Sequence, residues 1–298
     1  MGGMGQIMRS QFLSLPYPTK TFTGQTIIVT GSNIGLGLEA ARHLVRLDAA
    51  RVILAVRTLS KGEAAAASIE QTTSRKGVVE VWELDLSRYD SVKRFARRVG
   101  TLDRLDVFLA NAGIMNKSFI MLEDNESQIT VNVISTLLLG IMFPEREAPN
   151  IFEELAEESK ARIADRYNVS KMIELLAVRE LATKVTESKK DGQVIVSILN
   201  PGWVRTNMGT GDKIGLVATF GRKFIARDTE VGSRTLVHAA EVDPSTHGQY
   251  LSDCKIGDGT NRVSSFVSSS EGAATQKKVW TQLSQVLDRI QPAVMSLI

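Results

Sequence analysis

Two pairs of residues have the types and spacing for acid chemistry: Tyr89 with Lys93, and Tyr167 with Lys171. A separation of four places both members on one face of a helix, where the ammonium can draw the phenol pKa down from about 10 toward working pH. A third cluster, Thr30-Gly31-Ser32-Asn33-Ile34-Gly35-Leu36-Gly37, offers binding instead. Glycines there permit a tight turn and close approach of backbone to a pyrophosphate, and the unpaired N–H groups opening the next helix favour its charge. The same stretch could be a plain structural turn. Its place between a strand and a helix favours a dinucleotide.

The end of the following strand selects the dinucleotide. An acid there binds the ribose 2′-hydroxyl of NAD, whereas an arginine accommodates the 2′-phosphate of NADP. Arg57 stands 20 positions after Gly37, with Lys61 close behind and no acid between Asp48 and Glu63. NADP is the expected cofactor; a solvated basic loop is the competing reading. Asp85 either accepts from the adenine amine or caps a turn.

The elements that must hold these residues alternate. Short apolar runs at Thr26–Val29, Arg51–Val56, Val78–Leu84 and Leu105–Ala110 predict strands, and Leu38–Leu47, Lys61–Gln71 and Ser91–Val99 predict helices between and after them. This pattern predicts an α/β fold, a doubly wound, Rossmann-like parallel sheet flanked by helices. Val194–Leu199 and Gly248–Leu251 read as late strands. Ala273–Ile290 reads as a closing helix, with Val279, Leu283, Val286, Leu287 and Ile290 at helical spacing.

A chain of 298 residues, 43% hydrophobic, can bury one large core, so a single domain over 1–298 is expected, with a polar leader over 1–23. The net charge of +3 is spread without a basic run and argues against nucleic acid as partner. One cysteine, Cys254, excludes a disulfide framework and a cysteine-rich metal site. Gln6 stands where a myristoylation signal requires Ser or Thr, and Thr136–Phe143 is too short to span a bilayer. A cytoplasmic chain acting on a small molecule is expected, with self-association left open.

With Asn111-Ala112-Gly113 after the fourth strand and Tyr167-Asn168-Val169-Ser170-Lys171 later, the chain resembles the short-chain dehydrogenase/reductases. Val56-Arg57-Thr58-Leu59-Ser60-Lys61-Gly62 and Asn200-Pro201-Gly202-Trp203-Val204-Arg205-Thr206 resemble the retinol-dehydrogenase-like branch and its fungal relatives. The resemblance covers about residues 23–255. It implies an NADP(H)-dependent interconversion of carbonyl and alcohol on a small, apolar metabolite, in the manner of secondary metabolism. It favours Tyr167 over Tyr89, which follows a strand at a position expected to be solvated, and makes Tyr167 the proton donor. Lys171 would bind the nicotinamide ribose, and Asn111 and Gly113 would line the cofactor. Pro201 and Gly202, with Val204 and Thr206, would meet its nicotinamide end. Asn132 would continue a proton relay through water, although a helix cap or kink is the alternative. Thr206–Thr229 reads as a substrate lid or an ordinary loop.

One departure stands between Asn132 and Tyr167. In the family a strand ending in a catalytic serine lies there, but this chain runs from Leu137-Leu138-Leu139-Gly140-Ile141-Met142-Phe143 into Pro144-Glu145-Arg146-Glu147. Losing five or six buried side chains would remove roughly 10 kcal/mol, against a typical domain stability of about 5–15 kcal/mol. Only Thr136–Phe143 could fill the slot. Ser135 and Ser159 lack the context of a replacement, and Ser170 reads as a helix-surface or cofactor-side residue. The alternative to an active enzyme is therefore an NADP-binding but impaired protein, or a truncated isoform.

Overall fold

The computed structural model describes residues 10–136, 151–158, 163–188, 194–206, 225–241, 243–257 and 266–298. Strand β1 (Thr26–Thr30) is buried along its whole length, as a strand between two parallel neighbours and two helical layers must be. It pairs in parallel with β2 (Arg51–Val56) and with β4 (Val107–Leu109), while β3 (Val79–Glu83) extends the sheet beyond β2. The order is β3-β2-β1-β4. Helices α1 (Gly35–Arg46), α2 (Leu59–Thr73) and α3 (Tyr89–Val99) supply the crossovers. The four early strands and three helices lie where the apolar periodicity puts them, with no end shifted by more than three residues.

A short hairpin, β5 (Met121–Leu122) with β6 (Asn125–Glu126), leads into α4 (Ser127–Ile129) and a π-helical turn, Thr130–Ile134. Helix α5 (Ile151–Ala156) buries Phe152 and Leu155. The long helix α6 (Ile163–Glu187) lies against the last helix, α8 (Ser270–Ile290). Val169, Ile173 and Leu176 of α6 share a core with Val279, Leu283 and Leu287 of α8, so the tail packs as its spacing predicts.

A second sheet joins β7 (Ile198–Asn200) in parallel to β8 (Tyr250–Ser252), which turns back antiparallel into β9 (Lys255–Ile256). The expected strand over Val194–Leu199 is thus shorter and later. Val196 instead takes the turn before β8, accepting from the Gly248 N–H and donating to His247 Nδ1, and Val194 is exposed. Helix α7 (Thr229–Ala239) packs on α1.

Among the described residues, no strand pairs with the outer edge of β4 or with the edge of β7 away from β8. Phe108, in the middle of β4, is 46% exposed. Residues 137–150, with the Leu137–Phe143 run and Pro144, lie outside the described residues, as do Ser159 and the interior of the expected lid, 207–224. No helix among the described residues is long and apolar enough to cross a membrane.

Candidate active site

The glycine turn opens α1 at the carboxyl end of β1, where order reverses between β2 and β4 on either side. This is the crevice in which open α/β sheets bind ligands. Gly31 and Gly35 adopt φ of +65° and +66°, conformations that side chains disfavour. A Cβ on Gly37 would fall 2.5 Å from Asn111 Nδ2 and 2.8 Å from the Gly31 carbonyl. The turn is braced from beneath: Ser32 Oγ donates to the Val29 carbonyl at 2.7 Å, and Asn111 Nδ2 donates to the Thr30 carbonyl at 2.8 Å. Thr30 Oγ1 accepts from the N–H groups of Asn111 and Ala112, tying the turn to the loop after β4. Asn33 and Leu36 lie on the partly accessible side of this turn.

Arg57 and Lys61 are exposed at the end of β2 and the start of α2. Asp85 Oδ1 accepts from the N–H and hydroxyl of Ser87 at 2.9 and 2.7 Å, so of its two readings the turn cap is the one seen in contacts.

The second group converges from three elements. A Cβ placed on Gly113 would stand 3.3 Å from Asn132 Oδ1 and 3.8 Å from Lys171 Nζ. Asn132 is fully buried within the π turn, a local widening often found at functional sites. Its Oδ1 accepts from the Ile114 N–H at 2.7 Å, and its Nδ2 donates to the Ile114 carbonyl at 2.8 Å and to Ser170 Oγ at 3.1 Å. Ser170 in turn donates to the Tyr167 carbonyl at 2.8 Å. The serine is fully buried, contrary to the surface reading, because its hydroxyl bridges the π turn and α6.

Tyr167 and Lys171 lie one turn apart on α6. Burial pushes the Tyr167 phenol above its ordinary value; the Lys171 ammonium acts in the opposite direction and Glu174 adds to the rise. The lowering expected from Lys171 is present, but burial outweighs it; Lys171 is also ion-paired with Glu174 one turn on. Glu174 escaped the sequence reading, although its i+3 spacing from Lys171 was there to be seen. Tyr89 also departs from expectation: it is half-buried against the α6–α8 core, not solvated. Burial pushes its phenol to about 12, leaving it a poor acid.

The Pro201-Gly202 loop follows β7. Val204 is buried and forms a parallel bridge with Arg227, so the two ends flanking residues 207–224 meet. Thr206 donates its N–H to the Val204 carbonyl at 2.8 Å. The buried Arg227 pairs with Asp253 at 2.8 Å and donates to the Pro201 carbonyl at 3.1 Å, a brace no motif announced. Cys254 beside it is a buried free thiol pushed up to about 11 by burial.

Residues 25–214 match the family described as short chain dehydrogenase. Short chain dehydrogenase/reductase dmxR8 of Cryptosporiopsis sp. (strain 8999) is 43% identical over 330 positions, covering 98% of this chain and 99% of that protein. Short chain dehydrogenase atnD of Emericella nidulans is 41% identical, covering 84% of this chain and 90% of its own. A short chain dehydrogenase from Shigella flexneri, 21% identical, shares the fold at a TM-score of 0.54 over 83% of this chain and 99% of its own. The 330 positions aligned with the Cryptosporiopsis protein exceed the 298 residues of this chain, so at least 32 of them face a gap in it.

Proposed function

The chain belongs to the short-chain dehydrogenase/reductase family, and on that premise we propose an NADP(H)-dependent oxidoreductase that interconverts a carbonyl and an alcohol on a small, apolar molecule. The observation that carries this reading is the convergence of Asn132, Lys171 and the Gly113 loop on α6, beside a glycine turn braced by Asn111.

The glycine turn with Ser32, Asn33 and Leu36 would hold the pyrophosphate end, and Arg57 with Lys61 the 2′-phosphate. Asn111 and Gly113 would line the middle of the cofactor, Lys171 its second ribose, and Val204 and Thr206 its nicotinamide end. Asp85 keeps its adenine role as the lesser assignment. The exposed basic end of β2, with no acid in the sequence between Asp48 and Glu63, supports NADP over NAD. The same fold has been solved in a Shigella flexneri protein complexed with NADP.

When bound, the reduced cofactor supplies a hydride to the carbonyl carbon. Tyr167 gives its phenolic proton to the carbonyl oxygen, and the reverse transfer serves alcohol oxidation. Lys171 stabilises the phenolate by charge. Asn132, fixed by both backbone groups of Ile114, holds the loop after β4 against α6 and carries the proton path onward.

A second reading is favoured by the gap of at least 32 positions together with the unpaired edges of β4 and β7. On this reading, the missing segment is the strand and serine between Asn132 and Tyr167, and the chain binds NADP with impaired turnover. A thermal-shift comparison separates the readings. NADPH should raise Tm more than an equal concentration of NADH, and Tyr167→Phe should keep that rise while losing turnover by about 10²–10⁴. No rise with either cofactor overturns both readings. Reduction at the rate of the full-length relatives overturns the impaired one.

A further inference from the structure

We infer that Glu174 is a positioning residue for the catalytic helix, holding the Lys171 ammonium in competition with the Tyr167 phenol. This rests on the roles proposed for Tyr167 and Lys171. Glu174 lies one turn beyond Lys171 on α6, and its carboxylate is in contact with Lys171 Nζ. The glutamate side chain is only 14% exposed, so its charge is not dispersed into water as an ordinary surface pair would be. Burial raises the Glu174 carboxyl, and the lysine is the charged partner that opposes this.

Arg166, next to Tyr167 on α6, is itself buried. The π turn presents Asn132, and the loop after β4 presents backbone at Gly113 and Ile114. Among the described residues, the charges acting on the Tyr167 phenol are Lys171, which favours the phenolate, and Glu174, which opposes it. The three groups therefore form one electrostatic unit at i, i+4 and i+7. Lys171 reaches toward Gly113 from one side while Glu174 draws on it from the next turn. A bare Tyr-x-x-x-Lys pair would expose the phenol to the whole ammonium charge; here a buried carboxylate takes part of it.

Replacing Glu174 by Gln keeps the size and removes the charge, so the ammonium acts on the phenol alone. In Glu174→Gln the Tyr167 phenol should ionise about one pH unit lower than in the parent, the lower end of what a single nearby charge does. The measurement is ultraviolet difference titration of each protein against the same protein carrying Tyr167→Phe, which requires no turnover. Where turnover is measurable, the pH profile of alcohol oxidation should move acidward by the same amount. If Glu174→Gln does not fold, Glu174→Met removes the charge without leaving a buried polar group, and the same shift is expected. Unchanged phenol ionisation in a folded variant overturns the inference. A shifted ionisation in a protein that fails to bind NADPH would instead overturn the proposed function and leave the electrostatic unit standing.

Discussion

In β1 and β2 the side chains of Ile27, Ile28, Val29, Val52, Ile53 and Leu54 are wholly removed from solvent, whereas all three residues of β7 are only half-buried. A parallel strand loses its water to neighbours on both edges and helices on both faces. β1 has β2 and β4 beside it; β7 has β8 on one side and, among the described residues, nothing on the other. The contrast separates two tasks. In the half with the glycine turn, β1 is paired on both edges, and the turn and its brace satisfy one another's hydrogen bonds. The half with α6 has a second sheet in which, among the described residues, one edge of β7 is unpaired. On the second reading, binding should therefore be robust where turnover is not.

The most forceful way to break this comparison is to complete the sheet. On the second reading, inserting the segment of the Cryptosporiopsis relative that faces the gap, placed between Phe143 and Pro144, should raise turnover by about 10²–10³, the usual worth of one oxyanion-type donor. NADPH affinity should stay within a few fold, because no part of the glycine turn changes. A folded chimera with unchanged turnover would show that the deficit lies elsewhere. A chimera whose NADPH affinity rises as steeply as its rate would show that the two halves are not separable.

A smaller effect tests the same contrast by stability alone. Ile28→Ala in the wholly buried β1 should cost about 2–5 kcal/mol, the range for deleting a core aliphatic side chain. Ile198→Ala in β7 should cost about 1 kcal/mol, because its surroundings are already partly open. Urea unfolding at fixed pH measures both. Equal costs would mean that β7 is packed as tightly as β1, and the contrast between the two sheets would fall.

Much of this was legible from residue pattern. Thr26–Thr30 and Arg51–Val56 are apolar and β-branched because both faces of a parallel strand are covered, and that rule holds before any fold is known. The glycine turn and its following helix were equally plain. What escaped depends on tertiary context. Tyr89 reads as solvated because no local signal records that it packs against the core shared by the π turn, α6 and α8. Lys171 draws the Tyr167 phenol down, but burial outweighs it, Glu174 adds to the rise, and neither burial nor Glu174 belongs to a motif. The Arg227–Asp253 brace joins residues 26 apart in sequence, a pairing that periodicity does not encode.

The smallest expected effect lies in the half with the glycine turn and concerns pH. His43 of α1 contacts Glu230 of α7 through Nε2 at 2.8 Å, while its Nδ1 accepts from Arg46 Nη2 at 3.1 Å. Both ring nitrogens are thus satisfied by the neutral imidazole, and a second proton would face a guanidinium. Burial lowers the His43 pKa, Glu230 works against that, and Arg46 and Arg234 reinforce it, leaving the group below its ordinary 6.5. The unfolded chain then binds this proton more readily than the folded one, so stability present at pH 7 is lost as pH falls through about 6.5. Between pH 7 and 5.5 the loss should be at most about 1 kcal/mol, read as a drop in urea midpoint. His43→Gln should flatten that slope at some cost at pH 7, since its amide cannot serve Glu230 and Arg46 in the same geometry. An equal slope in both proteins would assign the acid sensitivity to the half with α6 instead.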